Sequence, residues 1–371
     1  MDLIYNFFRV ATGVMLAAWQ LTAGAADWPM LGGDANHTYN SADAAPALAP
    51  SKHWEAMLGG KIYASLVTEG EKVYVAGHDQ RLRALNAKNG HVLWSFEAGG
   101  EISATPAVAE GLIVVAAKNG MITALSTSNG GQLWQVKTGG KILSSPVIRD
   151  GQVYLGSNDF FFYALNLRTG KETWRYKTRD YKYGGLHASP AADLESVYVG
   201  SKNGMLHALS RSTGKLIWET ELGSSLYGAP ALANGRIYQG CYDRNVYALE
   251  ASSGKILWRT ELDEWPQGTP APVGDMLYVA SRNGVLYGLR VSDGQIAWQM
   301  PLGAELRHSP SIGHNRIGVI ALLDGRLIGV DLARQQIAWE RQLGAGAFSG
   351  PVISNSKVLV VTQDGRVSAW Q

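Results

Sequence analysis

Ser145-Pro146-Val147-Ile148, Val153-Tyr154-Leu155-Gly156, Phe162-Tyr163-Ala164-Leu165 and Glu172-Thr173-Trp174-Arg175-Tyr176 are four short apolar runs within one stretch, Lys141 to Tyr176. Asp150-Gly151, Asn158-Asp159 and Thr169-Gly170 separate them. Aromatic and β-branched residues fit a pleated surface, and Asn, Asp and Gly tolerate the positive φ of tight hairpins. The stretch therefore predicts four antiparallel strands in about forty residues.

The same pattern recurs along the chain. Trp54, Trp94, Trp134, Trp174, Trp218, Trp258, Trp298 and Trp339 follow one another at gaps of 40, 40, 40, 44, 40, 40 and 41 residues. Pro106, Pro146, Pro190, Pro230, Pro270, Pro310 and Pro351 keep the same phase, and each opens an apolar run. Gly90, Gly130, Gly170, Gly214, Gly254 and Gly294 precede a tryptophan by four residues. A period of about forty with four strands per unit predicts a β-propeller blade. One blade cannot bury both of its faces, so blades must stack on one another.

The two ends fix the blade count. The last unit supplies three strands and stops at Gln371, where its outer strand is due. The segment Leu48 to Leu58, which contains Trp54, is an outer strand without a blade. Pairing the two closes the ring and leaves no sheet edge bare. The expected fold is all-β: an eight-bladed propeller with four antiparallel strands per blade, closed by an N-terminal strand. The eight periodic tryptophans are then expected to dock blade on blade rather than to bind a ligand.

Composition narrows the function. Of 371 residues, 46% are hydrophobic and 17% charged, as in a globular core-forming chain. A net charge of +2 gives no global drive toward nucleic acid or an anionic membrane surface. The single cysteine, Cys241, excludes an intramolecular disulfide and two-cysteine metal or redox motifs. Residues 1–26 read as a signal peptide: Arg9, then the apolar Val10 to Leu21, then the small-residue site Ala23-Gly24-Ala25. An uncleaved anchor is the alternative. Residues 27–371 are expected to form one domain, periplasmic or secreted, with no membrane span once the signal is removed.

Units such as Tyr163-Ala164-Leu165-Asn166-Leu167-Arg168-Thr169-Gly170-Lys171-Glu172-Thr173-Trp174 resemble the quinoprotein propeller repeat. Asp27-Trp28-Pro29-Met30-Leu31-Gly32-Gly33-Asp34 is similar to the opening segment of that superfamily. The resemblance covers nearly all of the chain after residue 26. In organisation it points to the non-enzymatic eight-bladed lipoprotein of the outer-membrane barrel assembly machinery. It also implies an alternative, a pyrroloquinoline-quinone (PQQ) oxidoreductase with calcium. The alcohol dehydrogenases of that family stack their quinone on a ring of adjacent disulfide-linked cysteines, which Cys241 alone cannot make.

In a propeller, the loops from outer strand to next inner strand share a face with the turns from second to third strand, and this face usually binds. The 44-residue unit inserts Arg179 to His187 there, and Tyr181, Lys182, Tyr183 and His187 are candidate partner-binding residues. Tyr227, Arg307 and His308 lie in equivalent loops. Trp265 belongs with them, because it is out of the tryptophan phase and blade docking does not explain it. Lys118, Lys202, Arg244 and Arg282 share the second set of turns with Asp79, Asp159 and Asp243. Phe160-Phe161-Phe162 is read as a hairpin with exposed rings. No catalytic, cofactor or metal residues are expected. The expected function is a monomeric, non-enzymatic periplasmic scaffold for protein or peptide partners of the cell envelope. The alternatives are the PQQ oxidoreductase and a carbohydrate- or envelope-binding module; nucleic acid is not an expected partner.

Overall fold

The computed structural model describes residues 27–178 and 185–371. Eight sheets succeed one another, six of them built from consecutive strands alone and two completed by a strand from the N-terminal segment. The blade quoted above consists of Val147–Arg149, Gln152–Gly156, Phe161–Asn166 and Glu172–Lys177. Its second and third strands are buried on both faces, because a neighbouring blade covers each side. Its outer strand alternates, with Trp174 its one buried residue. Burial on both faces explains why the middle strands read as continuous apolar runs rather than as an alternation.

The ring closes as the two chain ends predict. Lys52–Met57 pairs antiparallel with Arg366–Trp370, the third strand of the last blade, which also contains Val352–Ser354 and Lys357–Val361. Ser51 and Gln371 exchange both main-chain hydrogen bonds, at 2.8 and 2.9 Å, and so pin this seam at its end.

Six of the eight blades dock on the next through a tryptophan-to-carbonyl bond, while Trp339 donates to the Pro46 carbonyl instead. The indole N–H of Trp134 donates to the Leu167 carbonyl of the following blade at 2.8 Å. Trp54, Trp174, Trp218 and Trp258 make the same bond to Ala87, Arg211, Ala251 and Val291. The ring of Trp134 lies against Gly170, the turn glycine of the next blade. Sequence spacing alone thus set both halves of the contact. A register shift opposite each tryptophan, such as that between Ala164 and Leu165, turns the outer strand so that the indole reaches across.

No side-chain pattern in the sequence marks what fills the channel. Trp28 to Ser41 crosses it and bonds to the inner edges of blade after blade. Thr68, Val108, Ala192, Leu232 and Ile312 each donate a main-chain N–H to Trp28, Pro29, Ala35, Asn36 and Tyr39, at 2.8 to 2.9 Å. Asn40–Ser41 adds a parallel fifth strand inside Ser311–Gly313. Inner strands otherwise present unpaired donors to the axis, and a buried unpaired donor costs about 1–3 kcal/mol. The segment satisfies them and plugs the ring.

His37 sits within this plug, fully buried, with Nδ1 3.2 Å from the Pro230 carbonyl. Burial pushes its pKa down to about 4, against a partial opposing pull from Asp34. Neutral His37 therefore favours the fold above the unfolded value near 6.5, and that advantage is lost as pH falls toward 4. We expect the protein to lose about 2 kcal/mol of stability between roughly pH 7.5 and pH 5 through this group. Urea unfolding at the two pH values checks it: His37→Asn should flatten the loss, and an unchanged slope contradicts the assignment.

Cys241 is buried, with its thiol 3.3 Å from the Ser224 carbonyl, and burial pushes its pKa up to about 12. An iodoacetamide label should enter only after denaturation; labelling of the native protein at the free-thiol rate would contradict this packing.

A loop funnel as the candidate partner site

Two loop sets meet on one face, and main-chain bonds lock them together. Among the described residues, the second-to-third turn of seven blades donates an N–H to the loop that enters the same blade: His78 to Lys61, Lys118 to Glu101, Asn158 to Lys141, Tyr242 to Ser225, Arg282 to Trp265, Leu323 to Glu305, and Gln363 to Gly346. The repeat thus places three side chains per blade at the funnel: one on the entering loop, one on the turn, and one two residues further along the loop.

Further in, Ser65, Thr105, Ser145 and Ser189 bridge successive blades. The N–H of each of the first three donates to the next hydroxyl, at 2.9 to 3.0 Å. Ser309 continues the series by donating to the Thr269 carbonyl. These hydroxyls line an axial cavity of ≈190 Å³, floored by Leu31 and Tyr39 of the plug. Most are engaged in holding blades together.

The funnel wall carries an aromatic arc. His187 packs edge-on against Tyr227 at 5.8 Å, Tyr227 against Tyr242 at 4.6 Å, and Tyr242 stacks on Trp265 at 4.5 Å and 15°. Arg282 lies 5.0 Å over the Trp265 ring, and Lys202 lies 5.5 Å over Tyr227. Glu305 bridges Arg282 at 3.0 Å and Arg307 at 2.7 Å, and Arg307 lies over Phe348 at 5.8 Å. Phe348 then meets Tyr63 at 4.8 Å, and Tyr63 meets His78 at 4.5 Å, across the closure of the ring. Aromatic and cation–π contacts of this kind contribute about 0.5–1.5 kcal/mol each and hold the wall in one arrangement.

Of the sequence candidates, His187, Tyr227, Trp265 and Arg307 come together in this wall. Burial and nearby Lys202 push the His187 pKa down to about 4, so the ring is neutral at pH 7. His308 stands apart: it is buried, with its ring nitrogens 2.9 and 2.7 Å from the Ser309 and Ala321 carbonyls. It braces main chain and turns no polar atom to the funnel. Tyr181, Lys182 and Tyr183 lie outside the described residues. Tyr63, Tyr242 and Phe348 carry no sequence signal of their own beyond positions that keep the repeat phase.

The acidic residues of the turns do not sit on the rim. Asp79, Asp159 and Asp243 fold back, each accepting the N–H two residues on, and their second oxygens meet Arg83, Tyr163 and Tyr247. Arg244 turns outward to Glu261 at 2.6 Å. Phe162 is core, Phe161 lies under Arg175 at 4.8 Å, and only Phe160 remains at the hairpin tip with φ of 70°.

The residues present do not fit a calcium–quinone pair. Calcium takes six to eight oxygens, usually with several carboxylates. No Asp or Glu lines the axial cavity, and its hydroxyls are largely committed to neighbouring blades. Among the described residues, no three His, Cys, Asp or Glu side chains are placed to hold a metal ion. The cavity is also below the ~300 Å³ usual for a small-molecule site.

Known structures share this architecture. BamB from Moraxella catarrhalis aligns with a TM-score of 0.74 at 18% identity, covering 87% of this chain and 98% of its own. Quinohemoprotein alcohol dehydrogenase from Comamonas testosteroni aligns at 0.80 and 15%, covering 93% and 80%. Quinohemoprotein alcohol dehydrogenase ADHIIG from Pseudomonas putida HK5 aligns at 0.81 and 14%, with the same coverage. At such identities the likeness shows the fold alone. A search of curated protein sequences gave no match. The family model described as outer membrane protein assembly factor BamB matches residues 50–105, 98–226 and 223–371, so the chain belongs to that PQQ-repeat propeller family.

Proposed function

We propose that this chain is a non-enzymatic scaffold of the bacterial envelope that binds protein or peptide partners through its funnel. Its family points to a place in outer-membrane protein assembly, and hence to the periplasmic side of that membrane. A BamB-type assignment and the funnel's donor set accord with a non-catalytic propeller. Among the described residues, no helix is long and apolar enough to cross a membrane.

The observation that carries the reading is the continuous wall His187–Tyr227–Tyr242–Trp265 with Arg282 and Lys202 over it. Tyr, Trp and Arg are the residues on which protein interfaces concentrate their binding energy. The wall is already packed, so little side-chain entropy is lost on binding. The Trp265 ring, engaged by both Tyr242 and Arg282, is not a bare platform for a sugar.

The test is the triple variant Tyr227→Ala, Tyr242→Ala, Trp265→Ala, expressed in cells and crosslinked. Partner capture and the level of assembled outer-membrane proteins should fall at least about tenfold, as loss of hot-spot aromatics predicts, while the melting curve stays cooperative. Unchanged capture by a folded variant overturns the site. Saturable quinone binding with dye-coupled alcohol oxidation overturns the scaffold reading itself.

A further inference from the structure

The funnel is not uniform around its circumference. Among the three positions per blade, the first four blades carry four lysines, Lys61, Lys118, Lys141 and Lys202, beside Glu101, Tyr63, His78 and His187. The last four present Tyr227, Tyr242, Trp265, Arg282, Glu305, Arg307 and Phe348. The funnel's lysines are confined to the first four blades, whereas the last four carry most of its aromatic wall.

Charge pairing sharpens the division. On the aromatic half, Glu305 holds both Arg282 and Arg307. On the cationic half, the facing acid is Glu101, and Lys118 already occupies it at 2.9 Å. Among the described residues, Lys61, Lys141 and Lys202 form no ion pair, although Lys141 adds to the field that lowers the Glu101 pKa and Lys202 lies 5.5 Å over the Tyr227 ring. The aspartates of the neighbouring turns offer none, because Asp79 and Asp159 are drawn into their own hairpins by Arg83, Tyr163 and the Gly139 N–H. Lys61 and Lys141 stand on main chain fixed by the loop-to-turn bonds, and the Lys202 carbonyl accepts the Ser225 hydroxyl, so the backbone positions from which the charges project are set. The net charge of the whole chain, only +2, hides this concentration.

We propose that the cationic half of the funnel receives an acidic, extended polypeptide segment whose carboxylates lie over Lys61, Lys141 and Lys202. This rests on the scaffold reading above and names the chemistry of its partner. Unpaired cations at a recessed site favour an anionic ligand and steer its approach. Concavity argues for a polypeptide over a lipid surface: the described loops wall the funnel, and a flat bilayer cannot descend into it. The aromatic half then takes the partner's apolar side chains.

The experiment uses the purified protein and three rhodamine-labelled peptides of about a dozen residues. They share one sequence of tyrosines alternating with glutamate, with glutamine, or with lysine. Anisotropy titrations are run on the parent protein and on Lys61→Glu, Lys141→Glu, Lys202→Glu, with circular dichroism to confirm that the variant is folded. The expected result is at least a tenfold preference for the glutamate peptide over its glutamine twin at low salt. That preference should vanish in the variant and at about 0.5 M salt, where charges are screened within a few ångströms. The glutamine twin should bind parent and variant alike. Equal affinity of the glutamate and glutamine peptides, or a preference that survives in the variant, overturns the acidic-partner inference and leaves the scaffold reading intact. Failure of all three peptides to bind overturns both. Retention on phosphatidylglycerol vesicles in preference to the glutamate peptide overturns the inference in favour of a lipid surface.

Discussion

Trp54→Ala should destabilise the protein by about 3–5 kcal/mol and open the ring at one place. The tryptophan is buried, donates to the Ala87 carbonyl at 2.9 Å and lies on Gly90 of the first blade. Trp134 makes the same contacts with Leu167 and Gly170 and is equally buried. The two substitutions remove the same chemistry, so their equilibrium costs should be similar. Their kinetic consequences should differ. Trp134 joins two blades that the chain connects directly. Trp54 sits on the strand Lys52–Met57, the one outer strand that reaches its sheet by pairing across the two chain ends. Its loss loosens that seam and exposes the edge of Arg366–Trp370, a template for aggregation. Hydrogen exchange should therefore accelerate first in Lys52–Met57 and in the last blade for Trp54→Ala, and more evenly for Trp134→Ala. Equal protection of the last blade in both variants would contradict closure as the weak point.

Gly170→Val should cost roughly 2–5 kcal/mol, although it adds apolar bulk to an apolar contact. Gly170 has φ of 69°, and a Cβ built there comes within 2.6 Å of the Trp134 ring. Left-handed backbone costs an L-residue about 1–2 kcal/mol, and overpacking adds about 1–3 kcal/mol. Gly235 separates the two effects. It has φ of 72° with nothing within 4 Å of a built Cβ. Gly235→Ala should show the backbone cost alone, about 1–2 kcal/mol. Denaturant midpoints of Gly170→Ala and Gly235→Ala give the comparison directly. A Gly170→Ala that is no worse than Gly235→Ala would mean that the tryptophan yields freely, and that the blade contact is looser than its geometry implies.

The repeat made the fold legible because its two signals report one contact. Tryptophan and turn glycine recur in phase, and the structure places the indole of one blade over the glycine of the next. The three-strand last unit and the stray Trp54 segment likewise named the closing pair. The plug was not legible. Its bonds run from main chain to main chain, as from Val108 to Pro29, and no side-chain pattern records them. The family match begins at residue 50, after the plug, which is therefore set apart from the repeat in sequence as well as in structure.

The funnel was half legible. Trp265 stood out because it broke the tryptophan phase. Tyr242 did not, because an aromatic beside the end of a strand reads as ordinary core. Phe348 and Tyr63 could not be joined from sequence, since they are 285 residues apart and meet only once the ring has closed. The acidic turn residues misled for a local reason. Asp159 at a hairpin tip reads as a solvated charge, whereas its oxygens accept the Phe161 N–H and the Tyr163 hydroxyl. Removing those aspartates from the rim is what leaves its lysines unbalanced.

A photocrosslinking amino acid placed at single positions in the cell tests most directly which face meets the partner. Tyr242 lies in the funnel wall; Thr213 lies exposed at a turn on the opposite face. Irradiation should yield a discrete crosslinked polypeptide from position 242 and none from position 213. A crosslink from position 213 with none from position 242 would place the partner on the other face and contradict the funnel as the binding site.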